Sequence, residues 1–389
     1  MAKVFLFKGK EKRVEYGHPW IFKSDIESIS GSFRPGDAIE VYSRGNRFLG
    51  MGYINPKSQI TVRMLSPEHE EINGDFFYRR ISSAWDYRKK IADTQSCRVV
   101  FAESDFLPAL IVDKFGDYLV VQTLAMGMDR HKEEVVEILD EIIKPAGIFE
   151  RNDVPVRELE GLEQKKGYLK GHFDTKVQMV ENGIKFTVDV ENGQKTGFFL
   201  DQKENRAAIK PLVKGAKVLD CFSHTGSFAL HAAYYGAQDV LGIDISAHAV
   251  EFAAHNARQN GLEHICRFET ANAFDKLREL DDQGQKFDVV ILDPPAFAKT
   301  RSAVEGAVRG YKEINLRAMK IISSGGFLVT CSCSHHVDPD LFMDIIYSSA
   351  IDAKRKVRLV EYRGQAKDHP VLLASEETQY LKCAILQVV

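Results

Sequence analysis

The chain has 389 residues, of which 44% are hydrophobic and 28% are charged, with 52 basic and 55 acidic side chains and a net charge of −3. This length favours two or three domains over a single core, and the composition is that of a soluble globular protein. No apolar run reaches the roughly 18 residues of a membrane-spanning helix, and residues 1–8 lack a signal-peptide core, so the prediction is a cytoplasmic protein that does not enter a membrane.

Residues 1–72 have the pattern of a small β-barrel, in which short strands are separated by Gly/Pro turns. The predicted strands are Lys3–Phe7, Asp37–Tyr42, Arg47–Tyr53 and Gln59–Leu65. Residues 1–24 also carry six Lys or Arg side chains against Glu11 and Glu15, which predicts a local phosphate-binding surface that includes Lys12 and Arg13. A solvated charged segment without a partner explains the same residues equally well.

Three motifs in this segment resemble a PUA domain, an RNA-binding barrel. They are Gly17-His18-Pro19-Trp20-Ile21-Phe22, Pro35-Gly36-Asp37 and Phe48-Leu49-Gly50-Met51-Gly52-Tyr53. The resemblance implies that RNA is a partner, and Trp20 is then predicted to stack on it. The alternative for Trp20 is a place in the core of the barrel.

Residues 73–183 have a different pattern, which predicts an α+β domain without a catalytic cluster. Helices are expected at Asp75–Ile91 and Arg130–Ile143. Strands are expected at Val99–Glu103, Ala109–Lys114, Tyr118–Leu124 and Gly147–Asn152.

From about residue 184 to the end, apolar β-rich runs alternate with helical stretches. The runs are Val218–Cys221, Asp239–Asp244, Ile265–Thr270, Phe287–Asp293 and Gly326–Cys331, and the helical stretches between them include Ser227–Tyr235, Ala247–Gly261 and Ala307–Ile322. Repeated β-α units predict an α/β fold with a parallel, doubly wound sheet, whose ligands bind at the carboxyl ends of the strands.

Acidic residues lie at the ends of the first two strands of this sheet. Asp220 precedes a glycine-containing turn that opens a helix, and Asp244 ends the next strand 24 residues later. Such a turn brings backbone N–H groups close to a ligand, and an acid at the end of the second strand can accept hydrogen bonds from ribose hydroxyls. The turn lacks the G-x-G-x-x-G pattern, so a dinucleotide is disfavoured. Either acid taken alone could be a cap or turn residue.

The strand that ends at Asp293 is followed by two prolines and then by Phe297. Pro294 and Pro295 fix the backbone and leave carbonyl groups free, which predicts a rigid rim for a planar base. Phe297 could stack on that base, and Asp293 could accept a hydrogen bond from an exocyclic amine. A proline turn with a capping aspartate is the alternative.

The last apolar strand leads into Cys331, Cys333, His335 and His336. Backbone alternation places Cys331 and Cys333 on one face, with Cys331 deeper in the sheet. No regular cysteine framework is present among the six, which favours single reactive or packing thiols in a reducing compartment. A zinc site is disfavoured, because four ligands within six consecutive residues of an extended strand cannot easily surround one ion, so no metal is predicted.

Together these features resemble the class I S-adenosylmethionine-dependent methyltransferases. More closely, the whole chain resembles the bacterial 23S rRNA cytosine-C5 methyltransferases, which join a PUA domain, a small α+β domain and a Rossmann-like methyltransferase domain. The matching motifs are Gly193-Gln194-Lys195-Thr196-Gly197-Phe198-Phe199-Leu200-Asp201-Gln202, Asn205-Arg206, Cys221-Phe222-Ser223-His224-Thr225-Gly226, Asp293-Pro294-Pro295, Arg309-Gly310-Tyr311-Lys312 and Ser332-Cys333-Ser334.

The resemblance implies domains at 1–72, 73–183 and 184–389, with S-adenosylmethionine as the cofactor. The implied cofactor contacts are Gln202, Asp220, Phe222, Ser223, Thr225, Gly226, Asp244 and Asn272. The implied catalytic residues are Asp293 and Pro294, which hold the base, and Cys333, which attacks it. The other predicted substrate contacts are Pro295, Phe297, Tyr311, Lys12, Arg13 and Trp20. The sequence departs from the family pattern at Asn272 (usually an acid), Ser227 (commonly glycine) and Ala296 (commonly lysine).

A nucleophilic cysteine suits this chemistry, because thiolate addition at C6 of a pyrimidine turns C5 into an enamine-like nucleophile. The prediction is therefore methylation of C5 of a cytidine in 23S rRNA or a large-subunit precursor. A uracil C5, a guanine or adenine nitrogen, and an inactive RNA-binding assembly factor are the alternatives. The oligomeric state stays open, with a homodimer as one option.

Overall fold

A computed structural model describes all residues, 1–389. The chain divides into two compact units, each built from several stretches of sequence. The first unit contains residues 1–179, 188–200 and 367–378, and the second contains residues 180–187, 201–366 and 379–389. No helix is both long enough and apolar enough to cross a lipid bilayer.

The first unit begins with a six-stranded sheet in the order β2-β6-β5-β4-β1-β3. Its elements are β1 (Lys3–Leu6), α1 (Glu11–Glu15), β2 (Trp20–Phe22), β3 (Ile26–Ser30), β4 (Ala38–Tyr42), β5 (Phe48–Ile54) and β6 (Ile60–Ser66). Alternate residues such as Val4, Leu6, Ile39 and Val41 are buried, which produces the period-2 pattern seen in the sequence. The sequence patterns missed β2 and β3, because β2 is only three residues long and β3 is almost wholly exposed.

A five-stranded sheet in the order β11-β10-β9-β8-β7 follows in the same unit. Its elements are α2 (Gly74–Ile91), β7 (Ser96–Phe101), β8 (Leu110–Phe115), β9 (Tyr118–Thr123), α3 (Met126–Arg130), α4 (Lys132–Ile143), β10 (Gly147–Asn152), α5 (Val156–Leu159) and β11 (Lys165–Lys170). Asn73 caps α2 by accepting a hydrogen bond from the backbone N–H of Phe76. Tyr53 of β5 joins this core, where its hydroxyl donates to the carbonyl of Pro108.

Two further strands, β12 (Lys176–Glu181) and β13 (Ile184–Asp189), pair with each other, and residues 180–187 of this hairpin belong to the second unit. The division into domains at residues 72 and 183 stays a prediction, since the compact units group the first two sheets together.

The second unit is built on a seven-stranded sheet in the order β16-β15-β14-β17-β18-β20-β19. Its elements are α6 (Lys203–Ala208), β14 (Lys217–Cys221), α7 (Ser227–Tyr234), β15 (Asp239–Asp244), α8 (Ala247–Gln259), β16 (Cys266–Thr270), α9 (Ala273–Asp282), β17 (Phe287–Leu292), α10 (Val304–Ile321), β18 (Ile322–Ser332), α11 (Pro339–Asp352), β19 (Val357–Arg363) and β20 (Lys382–Val388). Strands β14 to β18 are mutually parallel, whereas β20 pairs antiparallel with both β18 and β19.

The predicted parallel α/β sheet is therefore present, and the strand order reverses between β14 and β17. A ligand crevice is expected at that reversal, outside the carboxyl ends of the strands. The repeating β-α pattern did not reveal β19 and β20, because these antiparallel strands extend the sheet without crossover helices.

One ion pair in the second unit is fully buried. The guanidinium of Arg206 on α6 donates to both carboxylate oxygens of Glu181, at 2.6 and 2.8 Å. His231 lies beside this pair and donates from Nδ1 to the carbonyl of Ser227 at 2.7 Å. Burial, followed by the charge of Arg206, lowers the pKa of His231 to about 3. His231 is therefore neutral, and Glu181 alone balances Arg206.

Replacing Glu181 with glutamine should leave the buried charge of Arg206 uncompensated. Removing one partner of a buried ion pair costs about 3–5 kcal/mol of unfolding free energy. We expect a loss of that size for Glu181→Gln in equilibrium urea unfolding followed by circular dichroism. The control is Asp239→Asn, which breaks the exposed pair of Asp239 with Arg267 and should cost less than about 1 kcal/mol. Equal losses in the two variants would contradict a stabilising role for Glu181.

Candidate active site at the strand ends

The loop that follows β14 has an unusual backbone. Phe222 and His224 have φ values of 65° and 50°, and Gly226 has a φ of 82°. Left-handed conformations at non-glycine residues are strained and cluster at ligand-binding loops. Hydrogen bonds hold this conformation, because the N–H of His224 donates to Oδ2 of Asp244 at 2.9 Å and the N–H of Gly226 donates to the carbonyl of Ser223 at 2.8 Å. The predicted cofactor loop is thus a rigid turn between β14 and α7, and Thr225 lies within it, half-buried.

Asp220 is fully buried beneath this loop and is only partly satisfied by the protein. Its Oδ2 accepts from the N–H of Ala229 at 2.9 Å, whereas its Oδ1 has no hydrogen-bond partner, and neither does the buried hydroxyl of Ser223. Burial raises the pKa of Asp220 well above its usual value, and the nearby charges of Asp293 and Asp244 act in the same direction. An unpaired buried polar atom costs about 1–3 kcal/mol, so the site favours a ligand that supplies a donor or a positive charge.

Asp244 and Asn272 follow neighbouring strands at the same edge of the sheet. The Oδ1 of Asp244 accepts from the N–H of Ser246 at 2.9 Å, so both of its oxygens are oriented by backbone donors. Each carboxylate oxygen has two lone pairs, and Asp244 therefore keeps acceptor capacity for hydroxyl groups of a ligand. Asn272 is exposed and uses its carbonyl oxygen to cap α9 through the N–H of Phe274, which leaves its amide nitrogen as the group available to a ligand.

A hydrogen-bonded relay leads to Asp293 at the end of β17. The amide nitrogen of Gln202 donates to Oδ1 of Asp293 at 2.8 Å, and its oxygen accepts from Asn205 at 2.6 Å. Asn205 in turn accepts from Nε of Arg363 at 2.9 Å. Gln202 is almost fully buried, and the structure gives it the task of orienting Asp293. Its contact with a cofactor stays a prediction.

The residues after Asp293 form the predicted proline rim. Pro294 is buried and Pro295 is exposed. Phe297 is half-buried, and its ring packs on Tyr311 with a centroid distance of 4.6 Å and on Phe222 at 6.4 Å. Phe297 and Phe222 therefore belong to one aromatic cluster that links the rim to the cofactor loop.

Cys333 lies directly after the end of β18 and is the one cysteine that is not buried. Its thiol donates to the carbonyl of Pro294, with a sulfur–oxygen distance of 3.8 Å. Cys331, two residues earlier, is buried and faces Cys383 of β20 across the sheet. The structure thus brings Cys333, Asp293 and Pro294 together, and it confirms the sequence prediction that Cys331 is buried.

The two serines that flank Cys333 bond to the opposite side of the strand. The hydroxyl of Ser332 donates to the phenol oxygen of Tyr311 at 3.0 Å, and that oxygen is 2.9 Å from the hydroxyl of Ser334. Ser334 also accepts from the N–H of Ala298 at 3.1 Å, which ties the strand end to the proline rim. Tyr311 is fully buried, and its hydroxyl supports the Ser-Cys-Ser segment, while its contact with the substrate stays a prediction.

Lys12, Arg13 and Trp20 belong to the first unit and have partners of their own. Lys12 is exposed, whereas Arg13 pairs with Glu377 at 3.2 Å. The indole N–H of Trp20 donates to Glu103 at 2.9 Å. Their contact with RNA stays a prediction.

Three residues of the site were not found from the sequence. Asn205 and Arg363 act through Gln202, and Lys382 of β20 donates to the carbonyl of Ser334 at 2.7 Å. Asn205 lies in the matching motif Asn205-Arg206 but was given no role, and Lys382 stands out as a lysine in the apolar run Leu381–Val389, whereas Arg363 has no such signal.

Comparisons with known proteins agree with this arrangement. Residues 4–67 match the model of a PUA-like domain, and residues 163–370 match that of an S-adenosylmethionine-dependent methyltransferase. The chain is 42% identical to ribosomal RNA large subunit methyltransferase I of Vibrio cholerae over 393 residues, which covers 98% of this chain and 99% of that protein. It is also 42% identical to the enzyme of the same name from Aliivibrio fischeri, over the full length of both chains.

Among solved structures, a candidate methyltransferase in complex with S-adenosylhomocysteine superimposes with a TM-score of 0.86 over the whole of both chains, at 21% identity. This similarity establishes the fold. The predicted fold class, with its PUA-like and Rossmann-like parts, is therefore confirmed, and so is S-adenosylmethionine as the cofactor.

Asp220 fits this cofactor, because the sulfonium and ammonium groups of S-adenosylmethionine supply the positive charge and donors that the carboxylate lacks. Since the pKa of Asp220 is raised, the carboxyl takes up a proton at a higher pH than an ordinary aspartate, and the protonated form binds a cation less well. We expect the affinity for S-adenosylmethionine to fall as the pH is lowered through that raised pKa. Asp220→Asn should lower the affinity at least about tenfold and weaken this pH dependence.

Isothermal titration calorimetry across a pH series tests this expectation. Asp239→Asn, at the opposite end of β15, serves as the matched control and should bind like the unmodified protein. An Asp220→Asn variant with unchanged affinity and an unchanged pH profile would show that Asp220 does not contact the cofactor.

Proposed function

This chain belongs to the family of the ribosomal RNA large subunit methyltransferases I, and we propose that it methylates C5 of a cytidine in 23S rRNA. It is an S-adenosylmethionine-dependent methyltransferase. The proposed substrate is 23S rRNA or a large-subunit precursor, and the reaction takes place in the cytoplasm. The proposed intermediate is a covalent adduct between Cys333 and C6 of the base.

The single observation that carries the proposal is the position of Cys333. A partly exposed thiol contacts the carbonyl of Pro294, at the edge of the sheet where Asp220, Asp244 and Asp293 also lie. Methyl transfer to a ring nitrogen needs no such nucleophile, because a nitrogen lone pair attacks the methyl group directly. A thiol in this place is required when the acceptor is a pyrimidine carbon.

The reaction begins when the thiolate of Cys333 adds to C6 of the base. A bond forms between Sγ and C6, and the electron pair of the C5–C6 double bond becomes available at C5 as in an enamine. S-adenosylmethionine supplies an electrophilic methyl group to C5. The leaving group of the methyl transfer is S-adenosylhomocysteine. A base then takes up the C5 proton, which restores the C5–C6 double bond and expels the thiolate, so that the enzyme is regenerated.

Several residues of the chain prepare these steps. Asp220 would contact the charged groups of the cofactor, and Asp244 would contact its hydroxyls. The strained turn at residues 222–226 would contact the cofactor through backbone groups. The serines on either side of Cys333 fix the thiol against the rim. Packing of Phe297 on Tyr311 and Phe222 makes the wall beside that rim apolar.

Asp293 supplies a reason to favour cytosine over uracil. Gln202 donates to Oδ1 of Asp293, which orients the carboxylate and keeps it an acceptor. A carboxylate can accept from the exocyclic amine of cytosine, whereas it would face a carbonyl oxygen in uracil. A site built for a hydrogen bond to one group discriminates strongly against an analogue that lacks it.

C5 and C6 must reach a thiol that lies at the end of a sheet, so the base has to leave its stack. Single-stranded or opened RNA allows this at the lowest cost. The PUA-like domain at residues 4–67 supplies a second surface for the same RNA in this proposal.

The test uses ribosomal RNA, S-adenosylmethionine and the purified protein, followed by mass spectrometry of the nucleosides. We expect 5-methylcytidine from the unmodified protein and a loss of at least about a thousandfold in Cys333→Ala, since a covalent step is removed. Cys331→Ala is the matched control, because it removes a buried thiol two residues away, and it should retain most of the activity. RNA that contains 5-fluorocytidine should form an adduct stable to denaturation with the unmodified protein and with Cys331→Ala, but not with Cys333→Ala.

Each alternative outcome identifies a different error. Undiminished methylation by Cys333→Ala would remove the nucleophile from the mechanism. A methyl group on a guanine or adenine nitrogen would exclude carbon chemistry, and 5-methyluridine would show that Asp293 does not select the amine. Absence of all methylation with bound RNA would favour an assembly factor.

A further inference from the structure

A lysine is buried at the start of the edge-adjacent strand β20. Lys382 is only 4% exposed, and its neighbours Leu381 and Cys383 are 2% and 0% exposed. An ammonium group loses its hydration on burial, which is unfavourable unless nearby groups compensate for it. Lysine is also rarely found fully buried in folded proteins. The position of Lys382 therefore needs a specific explanation.

The strand register places Lys382 beside the Ser-Cys-Ser segment. Lys382 pairs with Ser332, and its ammonium donates to the carbonyl of Ser334 at 2.7 Å. The residue between those two serines is Cys333. Lys382 therefore contacts the strand on both sides of Cys333 in sequence, through its pairing with Ser332 and its bond to Ser334.

Burial lowers the pKa of Lys382 to about 8, while the charges of Cys333 and Asp338 raise it. Lys382 is thus still mostly protonated at neutral pH. Other titratable groups surround the pair on the elements packed against it. They are Cys331 on β18, Cys383 on β20, Tyr311 on α10, His335 and His336 in the turn after β18, and Asp338 at the start of α11. Asp293, at the end of β17, adds a negative charge near this strand end, and Lys382 is the only lysine or arginine among the groups named.

We propose that Lys382 is a positioning residue that holds Cys333 as a thiolate, by placing a buried positive charge beside the strand end. This role rests on the proposed function, in which Cys333 is the nucleophile. A thiolate is the reactive form of cysteine, and a neighbouring cation favours it over the thiol. The charge acts across a largely buried region, where screening by water and salt is weak.

Three variants separate charge from hydrogen bonding. Lys382→Met removes the charge and the donor while keeping the length of the side chain. Lys382→Gln removes the charge but keeps an N–H donor for the carbonyl of Ser334. Lys382→Arg keeps the charge. If the charge determines the reactivity of Cys333, Lys382→Met and Lys382→Gln should behave alike, and Lys382→Arg should resemble the unmodified protein.

The direct readout is the rate at which iodoacetamide alkylates Cys333 between pH 5 and pH 10, measured by peptide mass spectrometry. The other five cysteines are buried, so the native protein reports chiefly on Cys333, and Cys333→Ala provides the blank. We expect the apparent pKa of alkylation to rise by about one unit in Lys382→Met and Lys382→Gln, so that the rate near pH 7 falls about tenfold. Lys382→Arg should restore it.

A second readout connects this effect to catalysis. The acidic limb of the pH–kcat profile should move upward by the same amount in the Met and Gln variants, with the KM for RNA unchanged. Circular dichroism and cofactor affinity, measured on every variant, identify a variant that fails to fold. If Lys382→Met fails to fold, the comparison of Lys382→Gln with Lys382→Arg tests the role of the charge.

The outcomes distinguish this proposal from the proposed function. The alkylation assay needs neither RNA nor cofactor. An unshifted pH profile of alkylation in both Lys382→Met and Lys382→Gln would therefore overturn the role of Lys382, whatever the outcome for the proposed function. The proposal would also be overturned if the apparent pKa of alkylation shifted in Lys382→Met but not in Lys382→Gln, because the hydrogen bond to Ser334 would then be sufficient without the charge. A shifted profile combined with methylation that survives Cys333→Ala overturns the proposed function and, with it, the part of Lys382 in catalysis.

Discussion

The need to balance buried charge is the constraint on which the second unit depends. Arg206 and Glu181 pair through two hydrogen bonds, so each balances the charge of the other within the protein, and that pair can be understood as structure alone. Asp220 is different, because no basic side chain pairs with its buried carboxylate and its Oδ1 has no hydrogen-bond partner. A protein tolerates such an atom when a ligand supplies the missing hydrogen bond or opposite charge. A buried charge without a partner therefore indicates a binding site, whereas a paired one indicates a contribution to stability.

The reactive end of β18 is held by packing on both of its sides. Tyr311, from α10, is buried against the two serines, and the carbonyl of Pro294 receives the thiol of Cys333 from the other side. Both supports come from regular elements or from a proline-fixed turn. Sites carried by rigid elements keep their geometry better than sites on mobile loops, and the proposed nucleophile, which must reach one ring carbon, depends on this precision.

The sequence was sufficient for features that depend on local pattern. Apolar runs predicted the five parallel strands, and acids at their ends predicted the edge where Asp220, Asp244 and Asp293 meet. It was insufficient for features that depend on which distant strand comes next in the sheet. Periodicity cannot show that β20 lies beside β18, and so it could not place Lys382 next to Ser332.

Two further limits have the same origin. The relay from Arg363 through Asn205 spans 158 residues, a separation over which no spacing rule applies. Tyr311 was predicted to contact the substrate from its place in a matching motif, and neither that motif nor the helical pattern shows that its hydroxyl is buried against two serines. Buried polar partners are set by tertiary packing, and a single sequence does not encode them in any local period.

Cys331 and Cys333 show how environment divides two identical side chains that share one face of a strand. A hydrogen bond between the thiols of Cys331 and Cys383, together with burial, raises the pKa of Cys331 well above its usual value, which keeps that thiol protonated. Cys333 is one pleat further along, where it is partly exposed and precedes Ser334, whose carbonyl accepts from the ammonium of Lys382. An enzyme that needs one thiolate gains nothing from a second, because a competing nucleophile in the sheet could only react wrongly. The raised pKa of Cys331 and the partly exposed position of Cys333 beside the proline rim support the proposal that Cys333, rather than Cys331, is the nucleophile.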